Sequence, residues 1–222
     1  MAAAETEQNG KTEMWYVTDS KNGKIIAGWA ADTDEQSVRE ALTNDSVLDK
    51  LQIVDVKKGD VAFIPAGEVH SLRGGTQVIE IQESSDMTYR IFDYNRSDKQ
   101  GNKRPLHVEE ALAVMDYNHT EKPLVDYQCD KNQAANLVQD EHFITNVIRF
   151  DRTIGRDYAA LDSFVIYVVT EGACEIKWED QPTEEQVILH ANEAVLIPAT
   201  LDDIQLIPQG EAEVRLLETY II

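Results

Sequence analysis

Cations, cysteines and long apolar runs are what this chain has little of. Its 222 residues carry 20 Lys and Arg against 41 Asp and Glu, a formal net charge of −21. Such a chain repels nucleic acid and anionic membranes, which removes both from the expected partners. No stretch approaches the roughly 18 consecutive apolar residues of a membrane span. The opening Met1-Ala2-Ala3-Ala4-Glu5 is apolar for only a few residues and lacks the basic start of a secretory signal. Two cysteines, Cys129 and Cys174, follow no metal or redox spacing. Both are expected to be buried small hydrophobes in a reduced, cytoplasmic enzyme.

What is present reads as β structure. The chain is 42% hydrophobic and 27% charged, and is long enough for one β domain or two smaller ones. Short β-branched or aromatic runs bounded by Gly, Pro, Asp or Asn predict strands at Met14–Thr18, Ile25–Trp29, Gln52–Val56, Val61–Ile64, Val78–Glu83 and Thr88–Phe92. Thr33-x-x-Gln36 reads as a capping box opening a helix that runs to about Lys50, with Val38, Leu42 and Leu48 on one face. A less regular stretch from Leu106 to Gln139 contains a helical piece, Val108–Val114, and is expected to connect and pack across two barrels. Strands are expected to resume at Phe143–Phe150. The resulting organisation is a first unit over residues 1–105, a connection over 106–140 and a second unit over 141–222.

The two ends of the chain resemble each other. Trp15-Tyr16-Val17-Thr18-Asp19 lies over Tyr167-Val168-Val169-Thr170-Glu171, and Gly59-Asp60-Val61-Ala62-Phe63-Ile64-Pro65-Ala66 lies over Asn192-Glu193-Ala194-Val195-Leu196-Ile197-Pro198-Ala199. Val78–Glu83 pairs with Val214–Thr219. A repeated all-β unit argues for two related barrels, the helix over 33–50 being an insertion in the first.

Chemistry concentrates in the first copy. Gly59-Asp60-Val61-Ala62-Phe63-Ile64-Pro65-Ala66-Gly67-Glu68-Val69-His70 follows G-x5-P-x-G-x2-H. A strand leads into a Pro-x-Gly turn that fixes the direction of an imidazole at the start of the next strand. Glu13 is a lone carboxylate entering an apolar strand. Together Glu13 and His70 suggest a divalent metal inside a barrel, one ligand short of the usual catalytic set. The second copy replaces Glu13 by Val165, Gly67 by Thr200 and His70 by Asp203, so the scaffold does not require the pair. The other histidines, His107, His119, His142 and His190, lack such contexts. From Arg90 to Arg104 five cations (Arg90, Arg96, Lys99, Lys103, Arg104) face two anions (Asp93, Asp98), a net-positive window that could hold an anionic small molecule or be a solvated loop.

The G-x5-P-x-G-x2-H segment is identified as the second cupin motif, implying a double-stranded β-helix in each unit. Gly10-Lys11-Thr12-Glu13-Met14-Trp15-Tyr16, Ile64–His70, Gln82–Arg90 and Phe92-Asp93-Tyr94-Asn95-Arg96 resemble the zinc-dependent mannose-6-phosphate isomerases of the short bacterial type. That resemblance implies aldose–ketose isomerisation between mannose 6-phosphate and fructose 6-phosphate through a cis-enediol, with one zinc ion (Zn2+) per chain. It makes Glu13 and His70 zinc ligands, Arg90 the active-site arginine, Lys11 a second group facing the cleft and Arg96 a substrate-binding cation. Arg90 as a strand-end cation paired with Asp86 or Asp93 is the plainer alternative. The proton carrier stays open among Lys11, a carboxylate and a metal-bound water.

The chain also departs from that pattern. The family supplies further ligands from an upstream Gln-x-His-Pro segment, and Met1 to Thr12 contain neither that segment nor any histidine. The expectation is a fragment of a longer protein, its first barrel incomplete, with weak or absent zinc binding and turnover. Two other classes remain open at this level: a non-catalytic cupin that binds a sugar phosphate, and an iron oxygenase, which would need a two-His-one-carboxylate triad. Oligomeric state is not legible.

Overall fold

The computed structural model describes residues 10–179 and 186–221. The chain divides into two compact units, Met1–Val125 and Asp126–Ile222, each built on antiparallel sheets. Residues 106–125 thus group with the first unit and 126–140 with the second.

In the first unit β1 (Glu13–Ser20) is the centre of a sheet in the order β4-β1-β6, with β4 Val61–Ile64 and β6 Thr76–Gln82. A second sheet has the order β3-β2-β5, formed by β3 (Leu51–Asp55), β2 (Lys24–Trp29) and β5 (His70–Leu72). Ile25 and Ala27 of β2 join Trp15, Val17, Val56, Ala62 and Ile64 in one core. Ile26 and Trp29 join a separate cluster with Val38, Ala41, Val47 and Leu112 from the helices. Both faces of β2 are therefore covered from Ile25 on, and Ile25–Trp29 is apolar instead of alternating.

Helix α1 spans Glu35–Thr43 and ends there instead of running to about Lys50, the chain forming a separate 3-10 turn at Val47–Lys50, whereas α2 spans Val108–Val114 as expected. The α1 cap is not Thr33. Asp34 is the N-cap, its side chain accepting from the Ser37 N–H, and Thr33 lies one residue too early to reach that turn. Thr88–Phe92 forms no strand. Its backbone is fixed by His107, whose N–H donates to the Arg90 carbonyl (2.8 Å) and whose Nδ1 accepts from the Arg90 N–H (3.2 Å).

Strands resume at β7 (Gln133–Gln139), before the expected Phe143, because its partner β8 (Ile144–Phe150) is sequence-adjacent and the pair closes as a hairpin. One sheet of the second unit runs β13-β10-β15-β8-β7, with β13 Ala194–Ile197, β10 Val165–Glu171 and β15 Val214–Tyr220. The other runs β12-β11-β14-β9, with β12 Val187–His190, β11 Ala173–Trp178, β14 Asp203–Pro208 and β9 Ile154–Asp157. Cys174 is fully buried, but Cys129 is only half-buried.

The repeat is visible in the pairing. Glu13 faces Ile64 and Gln82, as Val165 faces Ile197 and Tyr220. The register shifts at matching places, between Val17 and Asp19 and between Val169 and Glu171. Two sequence alignments need correction. Trp15 faces Glu80 and Tyr167 faces Glu218, so Glu80 matches Glu218, two residues beyond the Leu216 that sequence similarity selects. A slip of two keeps every side chain on its own face, so alternation alone cannot detect it. Likewise Ile25 faces Val54 and Leu72 as Ile176 faces Val187 and Leu206; two residues on, Ala27 faces His70 and Trp178 faces Ile204, so Ile204, not Asp203, stands where His70 does. The turn of the second unit is one residue longer.

The second unit buries an acid of its own and partners it fully. Fully buried Glu218 accepts from Arg156 Nε (2.8 Å) and Nη2 (2.9 Å), from Asn146 Nδ2 (2.8 Å) and from the Tyr158 hydroxyl, which also contacts the Tyr167 hydroxyl. Replacing Glu218 by Gln leaves Arg156 without its counter-charge. E218Q is expected to lower unfolding free energy by roughly 2–4 kcal/mol, because breaking a buried pair leaves an uncompensated charge; urea denaturation followed by tyrosine fluorescence checks it.

Candidate functional site

Glu13 opens β1 between β4 and β6, and its side chain is fully buried. His70 opens β5. The turn between β4 and β5 starts at Pro65, whose carbonyl accepts from the Glu68 N–H (3.1 Å). Gly67 has φ +91°, and a Cβ there would lie 2.8 Å from the Val114 carbonyl oxygen, so both its conformation and its close contact demand glycine. That turn delivers the imidazole. His70 Nδ1 lies 2.8 Å from the Glu68 carbonyl, which accepts its proton and leaves Nε2 facing Glu13 Oε1 at 2.7 Å. An imidazole whose Nδ1–H is held by a carbonyl and whose Nε2 points at a carboxylate is the arrangement that metal-binding histidines use.

Lys11 joins them. Its Nζ lies 2.6 Å from Glu13 Oε2 and 3.0 Å from Glu80 Oε1. Glu80 Oε2 in turn accepts from the Trp15 indole N–H at 2.9 Å, and the Trp15 ring meets His70 edge-on at 5.4 Å. The structure therefore brings Lys11, Glu13 and His70 together and adds Glu80, which sequence reading missed. An isolated acid in an alternating strand does not stand out.

The electrostatics follow from burial opposed by close opposite charge. Burial pushes the Glu13 carboxyl up, but His70 and then Lys11 outweigh it and hold it at about 2. Burial pulls the His70 imidazole down, while Glu13 and the Glu68 carbonyl raise it, leaving it above its ordinary value. Burial pushes the neighbouring Glu68 up to about 7, eased by His70 and reinforced by Asp116.

Arg90 and Arg96 stand apart from this group. Arg90 Nη1 reaches the Pro105 carbonyl at 3.4 Å and pairs with neither Asp86 nor Asp93. Arg96 contacts the Asp93 carboxylate, as does Arg104. No hydrogen bond or ion pair among the described residues links Arg90 or Arg96 to Lys11, Glu13 or His70.

A divalent metal fits the donor chemistry. Glu13 Oε1 is buried and makes no well-directed hydrogen bond despite its closeness to His70, so an acceptor lone pair stays open beside Nε2. One carboxylate oxygen and one oriented imidazole nitrogen suit zinc. Among the described residues, no group of three or more His, Cys, Asp or Glu side chains is placed to hold an ion, so these two donors form a partial set.

No family model matches the chain. YvyI of Bacillus subtilis (strain 168) is 32% identical over 207 residues, 90% of this chain and 63% of YvyI. Mannose-6-phosphate isomerase ManA of the same organism is 37% identical over 113 residues, 50% of this chain and 36% of ManA. The chain thus spans less than two thirds of these curated relatives. Among solved structures, the mannose 6-phosphate isomerase from Bacillus subtilis superposes with a TM-score of 0.84 at 26% identity, covering 99% of this chain and 68% of that one. A mutant of phosphomannose isomerase from Salmonella typhimurium gives 0.69 at 12% identity, over 96% of this chain and 66% of that one, a likeness of fold.

The sign of the shifts makes a testable pattern. The lowered Glu13 contributes stability above about pH 4.5 that is lost as pH falls toward 2, and the raised His70 contributes stability below 6.5 that is lost as pH rises through its folded value. In chelator-treated protein the His70 imidazole is expected to titrate above 6.5 by NMR, and E13Q to lower its midpoint, because burial is then opposed only by the Glu68 carbonyl. An unchanged midpoint in E13Q would show that the carboxylate does not govern the ring.

Proposed function

From the likeness to the mannose-6-phosphate isomerases we propose that the chain is of that cupin type, and that its first unit is the site of a zinc-dependent aldose–ketose isomerase acting on mannose 6-phosphate and fructose 6-phosphate. The single observation that carries this reading is the pair of buried Glu13 and part-buried His70, with Lys11 on the same carboxylate.

Glu13 and His70 would hold the metal, the Glu68 carbonyl fixing which imidazole nitrogen faces it. Zinc held there would supply a Lewis acid for the carbonyl without changing redox state. The protein's own residues have separate tasks. Isomerisation moves a proton between C2 and C1: a base removes it from one carbon, giving a cis-enediol, and it returns to the other while a hydroxyl proton crosses between the oxygens. Lys11 places an ammonium beside Glu13, where it can stabilise the oxygen that becomes negative or give it a proton. Glu80 holds that ammonium in place while tethering the Trp15 wall. We assign Arg90 a charge-stabilising role on the same enediol and Arg96 a contact to the phosphate, the net-positive segment supplying the fixed cations that a dianion needs.

Two protein donors among the described residues are fewer than the three that catalytic zinc sites use. Zinc affinity and turnover of this chain are accordingly proposed to be low. Its two unpaired thiols, Cys129 and Cys174, suit the reducing cytoplasm.

Isothermal titration with zinc, with a coupled isomerase assay, tests the reading. The expected result is weak binding of one zinc per chain, lost in E13Q and H70N, and slow isomerisation that chelator abolishes. Tight zinc binding indifferent to both substitutions sinks the ligand assignment. Chelator-insensitive binding of the sugar phosphate with no turnover would identify a non-catalytic cupin instead.

A further inference from the structure

We infer that Arg104 is a further anion-binding residue, which holds a phosphate monoester jointly with Arg96 on a cationic loop that Asp93 keeps in place. The inference takes its ligand class from the sugar-phosphate reading above, but needs neither metal nor turnover.

Asp93 is a buried carboxylate with two guanidiniums on it. Arg104 contributes two prongs, Nε to Oδ2 at 2.9 Å and Nη2 to Oδ1. Arg96 Nη2 contacts the same Oδ1, and its Nε reaches the Asp93 carbonyl at 3.3 Å. One negative charge is therefore shared by two positive ones, and a single two-pronged arginine already suffices to neutralise it. The second guanidinium is surplus. Holding two like charges on one carboxylate costs repulsion that an incoming anion relieves.

The donors for that anion are available. Each guanidinium carries five N–H groups, and the Nη1 groups of Arg96 and Arg104 donate to no described residue. Both side chains are about half exposed, at 60% and 53%, while the Asp93 side chain is at 9%. The pair thus presents outward N–H groups from an anchored base. Lys103 adds a third cation to the loop, its Nζ 3.5 Å from Asn95 Oδ1.

The loop is also fixed in an unfavourable conformation. Tyr94 and Asn95 are consecutive non-glycine residues at φ +53° and +52°. Such strain persists only where surrounding contacts impose it. Here Asn95 Nδ2 donates to Asp45 Oδ1 (3.2 Å), Tyr94 packs on Phe92 with ring centroids 5.3 Å apart, and Arg96 lies over the Tyr94 ring at 5.6 Å. A preorganised pair of arginines in a chain of net charge −21 is a contact built for an anion.

The test is a titration of chelator-treated protein with inorganic phosphate, mannose 6-phosphate and mannose, followed by the arginine Nε–Hε NMR signals. The expected result is saturable shifts of the Arg96 and Arg104 signals with phosphate and the ester but not with mannose. R104Q should weaken both phosphate ligands by roughly tenfold with an unchanged circular dichroism spectrum. Should R104Q fail to fold, the wild-type Arg104 signal still decides the matter. Phosphate that shifts Arg96 alone, or an R104Q chain that binds as tightly as wild type, overturns the inference. Phosphate binding by the chelator-treated protein together with no isomerisation by the zinc-loaded protein overturns the isomerase reading and leaves this one standing.

Discussion

A carboxylate with no solvent exposure needs a partner, and Glu13 finds His70 and Lys11. An unpaired charge at that depth would cost several kcal/mol or neutralise itself by taking a proton. Much of the first unit can be read as the means of keeping those partners in place. β1 sits between β4 and β6 and holds Glu13 by ladders on both sides. The Pro65–His70 turn, tightened at Gly67, aims the imidazole, and the Glu68 carbonyl fixes its tautomer. Glu80 takes the other side of Lys11, so the ammonium is not left with a single anion.

The second unit meets the same geometric problem without a metal pair. Val165 stands in the place of Glu13 and Ile204 in the place of His70, both apolar and both buried. The acid matching Glu80 survives as Glu218, but its partners are Arg156, Asn146 and the Tyr158 hydroxyl. One architecture thus packs its interior two ways. The first leaves a buried oxygen with an open lone pair beside an imidazole nitrogen; the second neutralises its buried acid in a hydrogen-bonded network. The contrast supports a functional reading of Glu13 and His70, since an equivalent scaffold stands without them.

Much of this was legible in the sequence because it is written in strong local signals. The Pro65-Ala66-Gly67 turn, the apolar β1 and β2 runs and the Val108–Val114 helix need only neighbouring residues to specify them. Glu13 and His70 were legible as a pair because turn chemistry and a lone acid in an apolar strand are both unusual. What was missed depends on tertiary pairing. Glu80 is ordinary in sequence and acquires meaning only when β6 lies beside β1 and Lys11 reaches across. The two-residue slip at Glu218 and the one-residue slip at Ile204 leave hydrophobic alternation or turn spacing almost intact, so only hydrogen-bond register reveals them. Thr88–Phe92 has strand-like composition, but its backbone bonds go to His107 and not to a sheet. The Asp34 cap was displaced from Thr33 because both residue types cap well and one residue decides the reach.

The central claim is that Glu13 and His70 form a metal-holding pair. X-ray absorption at the zinc edge, on protein loaded with substoichiometric zinc, examines it most directly. The account predicts one imidazole nitrogen and one carboxylate oxygen from the protein, with the imidazole signature gone in H70N. A zinc environment unchanged in H70N and E13Q would contradict it.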